Sequence, residues 1–408
     1  MPEQTAERIP ARRYRVLFIA THPVQYSAPS FREMAKHPRL DIQVAYCSLR
    51  GAEPGVDKDF GVEVKWDVPL LDGYPWTQLP NRARRPSLDR FFGLVNTGLW
   101  RMIRKGHYDA VVIYTGYRFA TYWIALAAAK FSGTPIFFGT DASTLAPRSG
   151  NNWKANVKKW LWPIYFRMAD QVLVPSTAAR ELLQSIGIPP GRISMTPYSV
   201  DNSWWRAQAA LVDRAEVRKQ WGVPASAVVI LFCAKLQPWK RPHDLLRAFA
   251  KANNRNSFLI YAGDGPLLQE LKSEAAQLSV EDRVRFLGFV NQSQLPSIYK
   301  SSDLFVLPSD YEPFGVVVNE SMLCGCAVVV SDRVGAGHDL VRPENGFVYS
   351  CGDVDALAAL LAQLTTNPAK VKQMGEASER IMQTWSLREN TEALIGALDL
   401  IYQRKGGR

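Results

Sequence analysis

The chain has 408 residues, 47% of them hydrophobic, and no low-complexity segment, so it can bury two cores of ordinary domain size. Its formal net charge of +11 lies entirely in residues 1–200, which hold 26 Lys and Arg against 15 Asp and Glu, whereas residues 201–408 hold 23 of each. No apolar run approaches the roughly 18–20 residues of a membrane span, and residues 1–15 lack the apolar stretch of a signal peptide, so we expect a cytoplasmic protein.

The first half contains five apolar runs of strand length, separated by helix-length segments. These predicted strands are residues 15–20, 41–46, 110–114, 135–138 and 171–174. The alternation predicts a doubly wound α/β domain with a parallel sheet. It breaks at residues 197–205, and a second series begins at residue 227, so we place the domain boundary near Asn202.

The positive charge of the first half indicates an acidic partner, such as a lipid headgroup, an acidic glycan or a diphosphate-linked acceptor. Nucleic acid is the competing interpretation. No recognisable nucleic-acid-binding motif accompanies the charge, so we expect no nucleic-acid partner.

Two polar residues follow predicted strands of the first domain. His22 follows the first strand, and Asp141 follows the fourth. Ligands collect at the carboxyl edge of such a sheet, so His22 is a candidate for a polar or proton-handling role and Asp141 is a candidate hydrogen-bond acceptor. For His22, a helix-capping or core position is the alternative interpretation.

Residues 153–167 interleave basic and aromatic side chains, with three Trp and four Lys or Arg. This pattern is typical of a helix that rests at a membrane interface. An ordinary amphipathic helix that packs its Trp and Tyr on the sheet has the same pattern. The positive first half and the basic cluster at residues 82–85 favour peripheral contact with an anionic membrane, at its inner face.

The second half places a lysine pair and a glycine turn after successive predicted strands. Lys235 and Lys240 follow the strand at residues 227–233, and surface lysines that bind no ligand are one interpretation of this pair. A turn after the strand at residues 258–262 lets the backbone approach a ligand closely, although a non-catalytic Rossmann-like domain has such a turn as well. The turn comprises Gly263, Asp264 and Gly265.

Two carboxylates, Glu312 and Glu320, lie eight positions apart across a Pro-Phe-Gly turn. Glu312 follows the apolar run at residues 304–307, which indicates a buried parallel strand, and a helix is predicted from Gly315. The start of that helix presents unpaired N–H groups to a phosphate or sugar hydroxyl above the sheet. Because eight residues exceed two helical turns slightly, Glu320 is expected to return to the face of the helix start. From spacing alone, a solvated Glu pair is the alternative.

The stretch from Glu312 to Glu320 resembles the E-x7-E signature of family-4 retaining glycosyltransferases, which have the GT-B fold and use nucleotide sugars. Five further segments match motifs of that family in order and spacing, at residues 235–240, 262–267, 286–290, 325–331 and 345–349. The match is strong over residues 228–350 and faint in the first half.

The resemblance implies two Rossmann-like doubly wound domains that face a central cleft. The first, at residues 1–202, would bind the acceptor, and the second, at residues 203–385, would bind the donor. A final helix at residues 386–408 would cross back onto the first domain. The implied activity is retaining transfer of a sugar from a UDP- or GDP-linked donor to a glycan or lipid-linked acceptor, in cell-surface polysaccharide or glycolipid assembly.

The resemblance also implies roles for the site residues. Lys235 and Lys240 would bind the diphosphate, and Glu320 would bind the ribose. Phe289 and Val290 would meet the nucleobase, mainly through backbone groups. The donor sugar would be held by Glu312 and the backbone amides of Phe314, Gly315 and Val316.

The chain departs from the family pattern at several positions. Lys235 stands where the family has Arg, so a point charge replaces a planar fork. The His of the family's His-Asp pair is replaced by Thr140 before Asp141, and His22 is the candidate to take over its role. Neither His22 nor Asp141 is assigned as a covalent nucleophile, because in the family's same-face substitution the leaving phosphate itself helps deprotonate the acceptor.

We predict no metal and no other cofactor. Lysines and helix N-termini can neutralise the diphosphate without a metal. Asp57 and Asp59 have the D-x-D spacing of metal-dependent glycosyltransferases of another fold, but their Gly- and Pro-flanked context predicts a solvated loop. The five cysteines predict buried, reduced thiols, and Cys324 and Cys326 lack a second pair of ligands.

Two other functions stay open at this point. A sugar-nucleotide epimerase of similar two-domain shape needs acid/base groups around the donor sugar and no acceptor site. A non-catalytic partner subunit binds the nucleotide sugar only, and the intact Glu312, Glu320 and Lys240 argue against it.

Overall fold

The computed structural model describes residues 12–52, 55–57, 62–64, 66–146 and 152–406. Within these residues the chain forms a seven-stranded sheet, a six-stranded sheet and a separate two-stranded pair. The strands are β1 (Tyr14–Ala20), β2 (Leu40–Tyr46), β3 (Gly55–Asp57), β4 (Val62–Val64), β5 (Trp76–Gln78), β6 (Ala110–Ile113), β7 (Ile136–Gly139), β8 (Gln171–Val174), β9 (Ile193–Met195), β10 (Val228–Cys233), β11 (Ser257–Ala262), β12 (Val284–Phe286), β13 (Leu304–Leu307), β14 (Ala327–Ser331) and β15 (Gly346–Tyr349).

Helices connect most of these strands. They are α1 (Ala28–Lys36), α2 (Gly98–Lys105), α3 (Ala120–Ser132), α4 (Asn152–Arg167), α5 (Thr177–Ser185), α6 (Asn202–Ala210), α7 (Arg214–Gln220), α8 (Pro242–Ala252), α9 (Leu268–Gln277), α10 (Leu295–Lys300), α11 (Val316–Leu323), α12 (Gly335–Leu340), α13 (Val354–Thr365), α14 (Pro368–Ile381) and α15 (Leu387–Gly406). The eight strands predicted from the sequence are all present, and each predicted end lies within one residue of the observed end.

Both large sheets are parallel and doubly wound. The strand order is β5-β2-β1-β6-β7-β8-β9 in the first sheet and β12-β11-β10-β13-β14-β15 in the second. In the first sheet, the strand after β1 is added on one side of β1, and β6 is then added on its other side. In the second sheet, β11 and β12 are added on one side of β10, and β13 on its other side. Ligands bind beyond the carboxyl ends of the strands at such a switch point.

Buried apolar side chains cover both faces of each large sheet, which is why the central strands have continuous apolar sequences. In the first sheet, α2, α3, α4 and α5 pack on one face, and α1 and α15 pack on the other. The switch point of each sheet therefore lies at the edge of a layer that is buried on both faces.

The last helix, α15, packs on the first sheet, beside α1. Tyr14 Oη donates a hydrogen bond to Asp399 Oδ1 (2.6 Å), and Arg39 pairs with both oxygens of Asp399 (2.5 and 3.1 Å). Tyr402 Oη donates to Asp109 Oδ1 (2.8 Å). The Arg39 hydrogen bonds hold the pKa of Asp399 below its usual range. The crossing of the final helix onto the first domain is confirmed over residues 387–406.

The two passages of the chain between the sheets are bonded to each other. Asn202 Nδ2 donates to the carbonyl oxygens of Met382 (2.8 Å) and Trp385 (3.1 Å). Trp385 Nε1 donates to Tyr198 O (2.6 Å). These bonds hold together the segment that carries the predicted boundary residue, Asn202, and the segment that precedes α15.

The segment that contains Asp57 and Asp59 is described only in part. The sequence predicted a solvated loop around Asp57, but Asp57 is the last residue of β3, whose backbone pairs with the antiparallel strand β4. The backbones of β3 and β4 form hydrogen bonds with each other, and these satisfy N–H and C=O groups that water would satisfy in a loop. Asp59 lies outside the described residues.

Candidate functional site

Two cavities meet where the carboxyl ends of the two sheets face each other. The interdomain cavity has a volume of about 350 Å³ and is lined by residues of both domains. The first-domain cavity has a volume of about 280 Å³. The two cavities share the lining residues Tyr26, Asp141 and Tyr198, so a group bound in one lies next to a group bound in the other.

The interdomain cavity brings together charged residues that are distant in sequence. Lys235, Lys240, Glu312 and Glu320 all line it. Lys240 Nζ forms an ion pair with a carboxylate oxygen of Glu312, and the two side chains are only 17% and 16% exposed. The site therefore holds a positive charge in place, beside a carboxylate, before any ligand arrives.

The turn that carries Glu312 is fixed by a neighbouring helix. Gly335 N–H, at the start of α12, donates to Glu312 O (3.0 Å). A Cβ atom on Gly335 would lie 2.1 Å from Pro313 O, so only glycine permits this approach. Gly315 has a φ of +97°, a left-handed conformation that glycine adopts without strain, and it turns the chain into α11. Sequence analysis missed Gly335. The Gly-x-Gly pattern at residues 335–337, shortly after β14, is the signal that could have found it.

The two carboxylates reach the same cavity by different routes. Glu312 precedes α11, whereas Glu320 lies within it. Phe314, Gly315 and Val316 also line the cavity, so the start of α11 faces it. The first amides of a helix have no intrahelical partner and carry partial positive charge, so this end of α11 suits an anionic or hydroxyl ligand.

Glu320 is nearly buried, with 6% of its surface exposed. Tyr299 Oη donates a hydrogen bond to Glu320 Oε2 (3.0 Å). Burial raises the pKa of Glu320 to about 7, and the hydrogen bonds from Tyr299 and Gln292 oppose that rise. Glu320 thus lines the interdomain cavity as a buried carboxyl group with a raised pKa.

The glycine turn supports the loop of Lys235. Gly263 and Gly265 have φ angles of +144° and +155°, and a Cβ on each would lie 2.0 Å from Ala234 O and 2.5 Å from Leu236 O. Asp264 O accepts a hydrogen bond from Leu236 N–H (2.9 Å). None of the three turn residues is among the described residues that line the interdomain cavity. The role that the structure shows for the turn is to position the backbone on both sides of Lys235.

Phe289 and Val290 also lie outside that lining set. The Phe289 ring packs against Trp66 of the first domain, with ring centroids 6.5 Å apart. Close by, Ser293 N–H donates to Asp67 Oδ1 (3.1 Å). Val290 packs against the core of the second domain. These contacts join the two domains at the strand end where the nucleobase was expected.

His22 and Asp141 both line the first-domain cavity. The helix-capping interpretation of His22 is wrong, because α1 begins at Ala28 and Ser27 is its N-cap. The Nδ1 atom of His22 is buried without a hydrogen-bond partner among the described residues. Burial, reinforced by the positive charge of Arg50, lowers the pKa of His22 below its ordinary value.

Two tyrosines that the sequence did not single out join the cavities. The rings of Tyr26 and Tyr198 meet edge to face at 5.9 Å, and Tyr198 also contacts the Phe314 ring at 5.4 Å. Burial, together with the negative charge of Asp141, raises the pKa of Tyr26 to about 12. Tyr198 follows β9, and its place beyond the carboxyl end of a strand is the signal that would have found it.

Helix α4 has two apolar faces. Trp162 and Phe166 are buried against the first sheet (7% and 3% exposed). The opposite face carries an exposed apolar stripe at helical spacing, which consists of Trp153, Val157, Trp160, Leu161 and Ile164, exposed by 59%, 42%, 80%, 57% and 59%. Packing on the sheet accounts for the first face only. Among the described residues, no helix is long and apolar enough to span a membrane.

In the part of the chain that the structure describes, no group of three or more His, Cys, Asp or Glu side chains is placed to hold a metal ion. The five cysteines are free thiols, four of them buried, and Cys351 is partly exposed. Among the described residues that line the interdomain cavity, Lys235 and Lys240 are the cationic side chains, and the start of α11 also faces it.

The paired parallel sheets, the cleft between them and the returning α15 define the GT-B class of glycosyltransferase folds. Two family models match the chain, a glycosyl transferase 4-like domain over residues 3–199 and glycosyl transferases group 1 over residues 213–381. The chain therefore belongs to the family-4 glycosyltransferases of the GT-B fold.

Curated relatives match over part of the chain. A D-inositol 3-phosphate glycosyltransferase of Thermomonospora curvata is 30% identical over 255 residues, which cover 58% of this chain and 59% of the relative. An uncharacterised glycosyltransferase of Methanocaldococcus jannaschii is 32% identical over 223 residues, which cover 54% of this chain and 52% of the relative. The matches thus span a little over half the length of these relatives.

Solved structures match over nearly the whole chain. Anabaena HepE in complex with UDP and glucose is 21% identical, with a TM-score of 0.71 over 95% of this chain and 100% of HepE. A glycosyltransferase from Rickettsia africae is 16% identical, with a TM-score of 0.73 over 96% of this chain and 99% of its own. At this level of identity the likeness establishes the fold.

Proposed function

We propose that the protein is a retaining glycosyltransferase that moves a sugar from a UDP- or GDP-linked donor to a glycan or lipid-linked acceptor, in cell-surface polysaccharide or glycolipid assembly. The interdomain cavity carries this proposal, because Lys235, Lys240, Glu312, Glu320 and the start of α11 converge there. The fold is shared with HepE, which binds UDP and UDP-glucose, and this favours a UDP-linked donor.

The positive groups of the cavity would act on the leaving group. Negative charge grows on the diphosphate as the glycosidic bond breaks, and charges fixed beforehand stabilise it without reorganisation. Lys240 is held in place by Glu312, and the glycine turn fixes the loop of Lys235. Glu312 would accept hydrogen bonds from the donor sugar, and the buried Glu320 would accept them from the ribose.

The shared edge of the cavities would be the place of transfer. Asp141 lies there and would accept a hydrogen bond from the attacking hydroxyl. In the proposed same-face substitution, the leaving phosphate takes the proton of that hydroxyl, so no enzyme group forms a covalent bond with the sugar. His22, whose pKa is lowered by burial, would serve as a hydrogen-bonding group on the acceptor side.

A ligand screen followed by turnover measurements tests the proposal. A nucleoside diphosphate at ~100 times its dissociation constant adds ~2.7 kcal/mol to the free energy of unfolding, which a thermal shift detects. A transferase then releases nucleoside diphosphate faster when an acceptor is added. An epimerase would convert the donor without releasing it, and a non-catalytic subunit would bind but not turn over.

We also propose that the protein is cytoplasmic and docks on the inner face of an anionic membrane through α4. The exposed apolar stripe of α4 is accompanied by Lys158 and Lys159 in a domain that holds all of the excess positive charge. Trp162 Nε1 donates to Tyr117 Oη (3.3 Å), and Tyr114, three residues earlier, lines the first-domain cavity. Docking through α4 would therefore bring a lipid-linked acceptor close to that cavity.

Co-sedimentation with vesicles of anionic lipid at low salt tests the docking. Each Lys or Arg near such a surface contributes ~1 kcal/mol, so Lys158→Glu with Lys159→Glu should abolish binding and spare donor hydrolysis in solution. Reversal of Lys219 and Lys251, exposed lysines of the second domain, is the matched control and should leave binding unchanged. Wild-type protein that ignores anionic vesicles would exclude this surface as a membrane contact.

A further inference from the structure

Asp67, a residue of the first domain, is bonded to the second domain just before α10. Ser293 N–H donates to Asp67 Oδ1 (3.1 Å), and Ser293 Oγ donates to Asp67 Oδ2. The preceding residue, Trp66, packs its ring on that of Phe289. The first domain therefore contacts the segment that leads from β12 into α10.

The segment that Asp67 contacts also holds Glu320 in place. Tyr299, within α10, donates to Glu320 Oε2 (3.0 Å), and Gln292, next to Ser293, forms a second hydrogen bond with the Glu320 side chain. Tyr299 and Gln292 are both buried, and Glu320 lines the interdomain cavity. A movement of residues 292–300 would therefore move both groups that orient this carboxyl group.

The contact between Asp67 and Ser293 lies at the protein surface, because both residues are exposed. Hydrogen bonds between exposed groups add little to the free energy of unfolding, since water satisfies the same groups when the contact opens. The effect of this contact is thus on the position of the segment rather than on overall stability. A segment that is fixed before a ligand arrives lowers the ordering cost of binding.

We propose that Asp67 is a positioning residue for the nucleoside end of the donor site, where it fixes the segment that orients Glu320 toward the ribose. The inference rests on the proposed transferase function and assigns a residue of the first domain to donor binding. The contact forms only when the two domains lie close together. Donor binding and the approach of the domains therefore favour each other, because such coupling is reciprocal.

Isothermal titration with UDP, or with GDP where the ligand screen selects it, measures the dissociation constant of each variant. Asp67→Ala should raise Kd about 5-fold, the change that loss of one hydrogen bond of ordinary net strength produces. Asp67→Asn keeps an oxygen that accepts from Ser293 N–H, so it should restore most of the affinity. Asp72→Ala is the matched control, because it removes an exposed carboxylate from the same part of the first domain, and it should leave Kd unchanged.

Two double-mutant cycles then show whether Asp67 acts through Glu320. In the Glu320→Gln protein, Asp67→Ala should have little further effect on Kd, because both changes act on the same carboxyl group. In the Lys240→Ala protein, the full effect of about 5-fold should persist, because that lysine meets the diphosphate instead.

The inference is wrong if Asp67→Ala leaves Kd unchanged or if Asp67→Asn binds as weakly as Asp67→Ala. It is also wrong if Asp67→Ala has the same effect in the Glu320→Gln and Lys240→Ala proteins, because a general loosening of the structure would act equally in both. Failure of the wild-type protein to bind either UDP or GDP would instead overturn the transferase proposal itself.

Discussion

Replacement of Glu320 by Gln should change how the stability of the protein depends on pH. The pKa of Glu320 is about 7 in the folded protein and 4.5 in the reference state. Between these values the folded protein keeps a proton that the unfolded chain has released, so stability falls as pH rises through 7. Between pH 5.5 and 8, this single group should cost about 2 kcal/mol of unfolding free energy.

Denaturant unfolding followed by tryptophan fluorescence, at several pH values from 5.5 to 8, measures this effect. Gln resembles the neutral carboxyl group, so the Glu320→Gln protein should lose about 2 kcal/mol less than the wild type over this range, while all other titrating groups cancel. Nucleotide binding should show the opposite trend, because ribose hydroxyls donate to the ionised carboxylate and binding should tighten as pH rises. Parallel stability curves for the two proteins would refute the assignment of a raised pKa to Glu320.

Three further predictions concern the donor site. Lys240→Ala should lower turnover ~10²-fold or more and weaken nucleoside diphosphate binding far more than nucleoside binding, and near-normal activity would contradict the phosphate role. Glu312→Gln should impair transfer but leave nucleotide affinity nearly intact, whereas Glu320→Gln should weaken nucleotide binding. Isothermal titration measures both affinities, and an equal loss of nucleotide affinity in the two variants would contradict the separate roles. Activity should survive chelation with EDTA, and complete loss that Mg²⁺ or Mn²⁺ restores would redirect attention to Asp57 and Asp59.

The parallel sheets were predictable from the sequence because their central strands are buried on both faces and therefore appear as continuous apolar runs. Of the lysines and carboxylates of the interdomain cavity, Lys235, Lys240 and Glu312 were predictable because they follow such strands, and Glu320 because it lies in the helix predicted from Gly315. Glu312 and Lys240, 72 positions apart, form an ion pair in the structure, a contact that the sequence analysis did not predict.

Other features depend on three-dimensional contacts that leave no local pattern. The roles of Gly263 and Gly265 depend on the loop of Lys235, whose backbone lies against both glycines in the structure. The outward stripe of α4 and its buried face have similar compositions, so the sequence left membrane contact and sheet packing as alternatives. Tyr198 follows β9, a three-residue strand that the apolar runs did not reveal, and only the structure shows that it lines both cavities.

The return of α15 to the first sheet has a consequence for how the chain is made. Asp399 meets Arg39 across 360 positions, so the first domain lacks one of its covering helices until residues 387–406 have left the ribosome. Until then the apolar side chains of β1 and α1 that α15 covers stay open to solvent or to chaperones. The first domain thus stays incomplete while the second domain is synthesised. Translation pauses within residues 203–385 would lengthen the exposure of that apolar face.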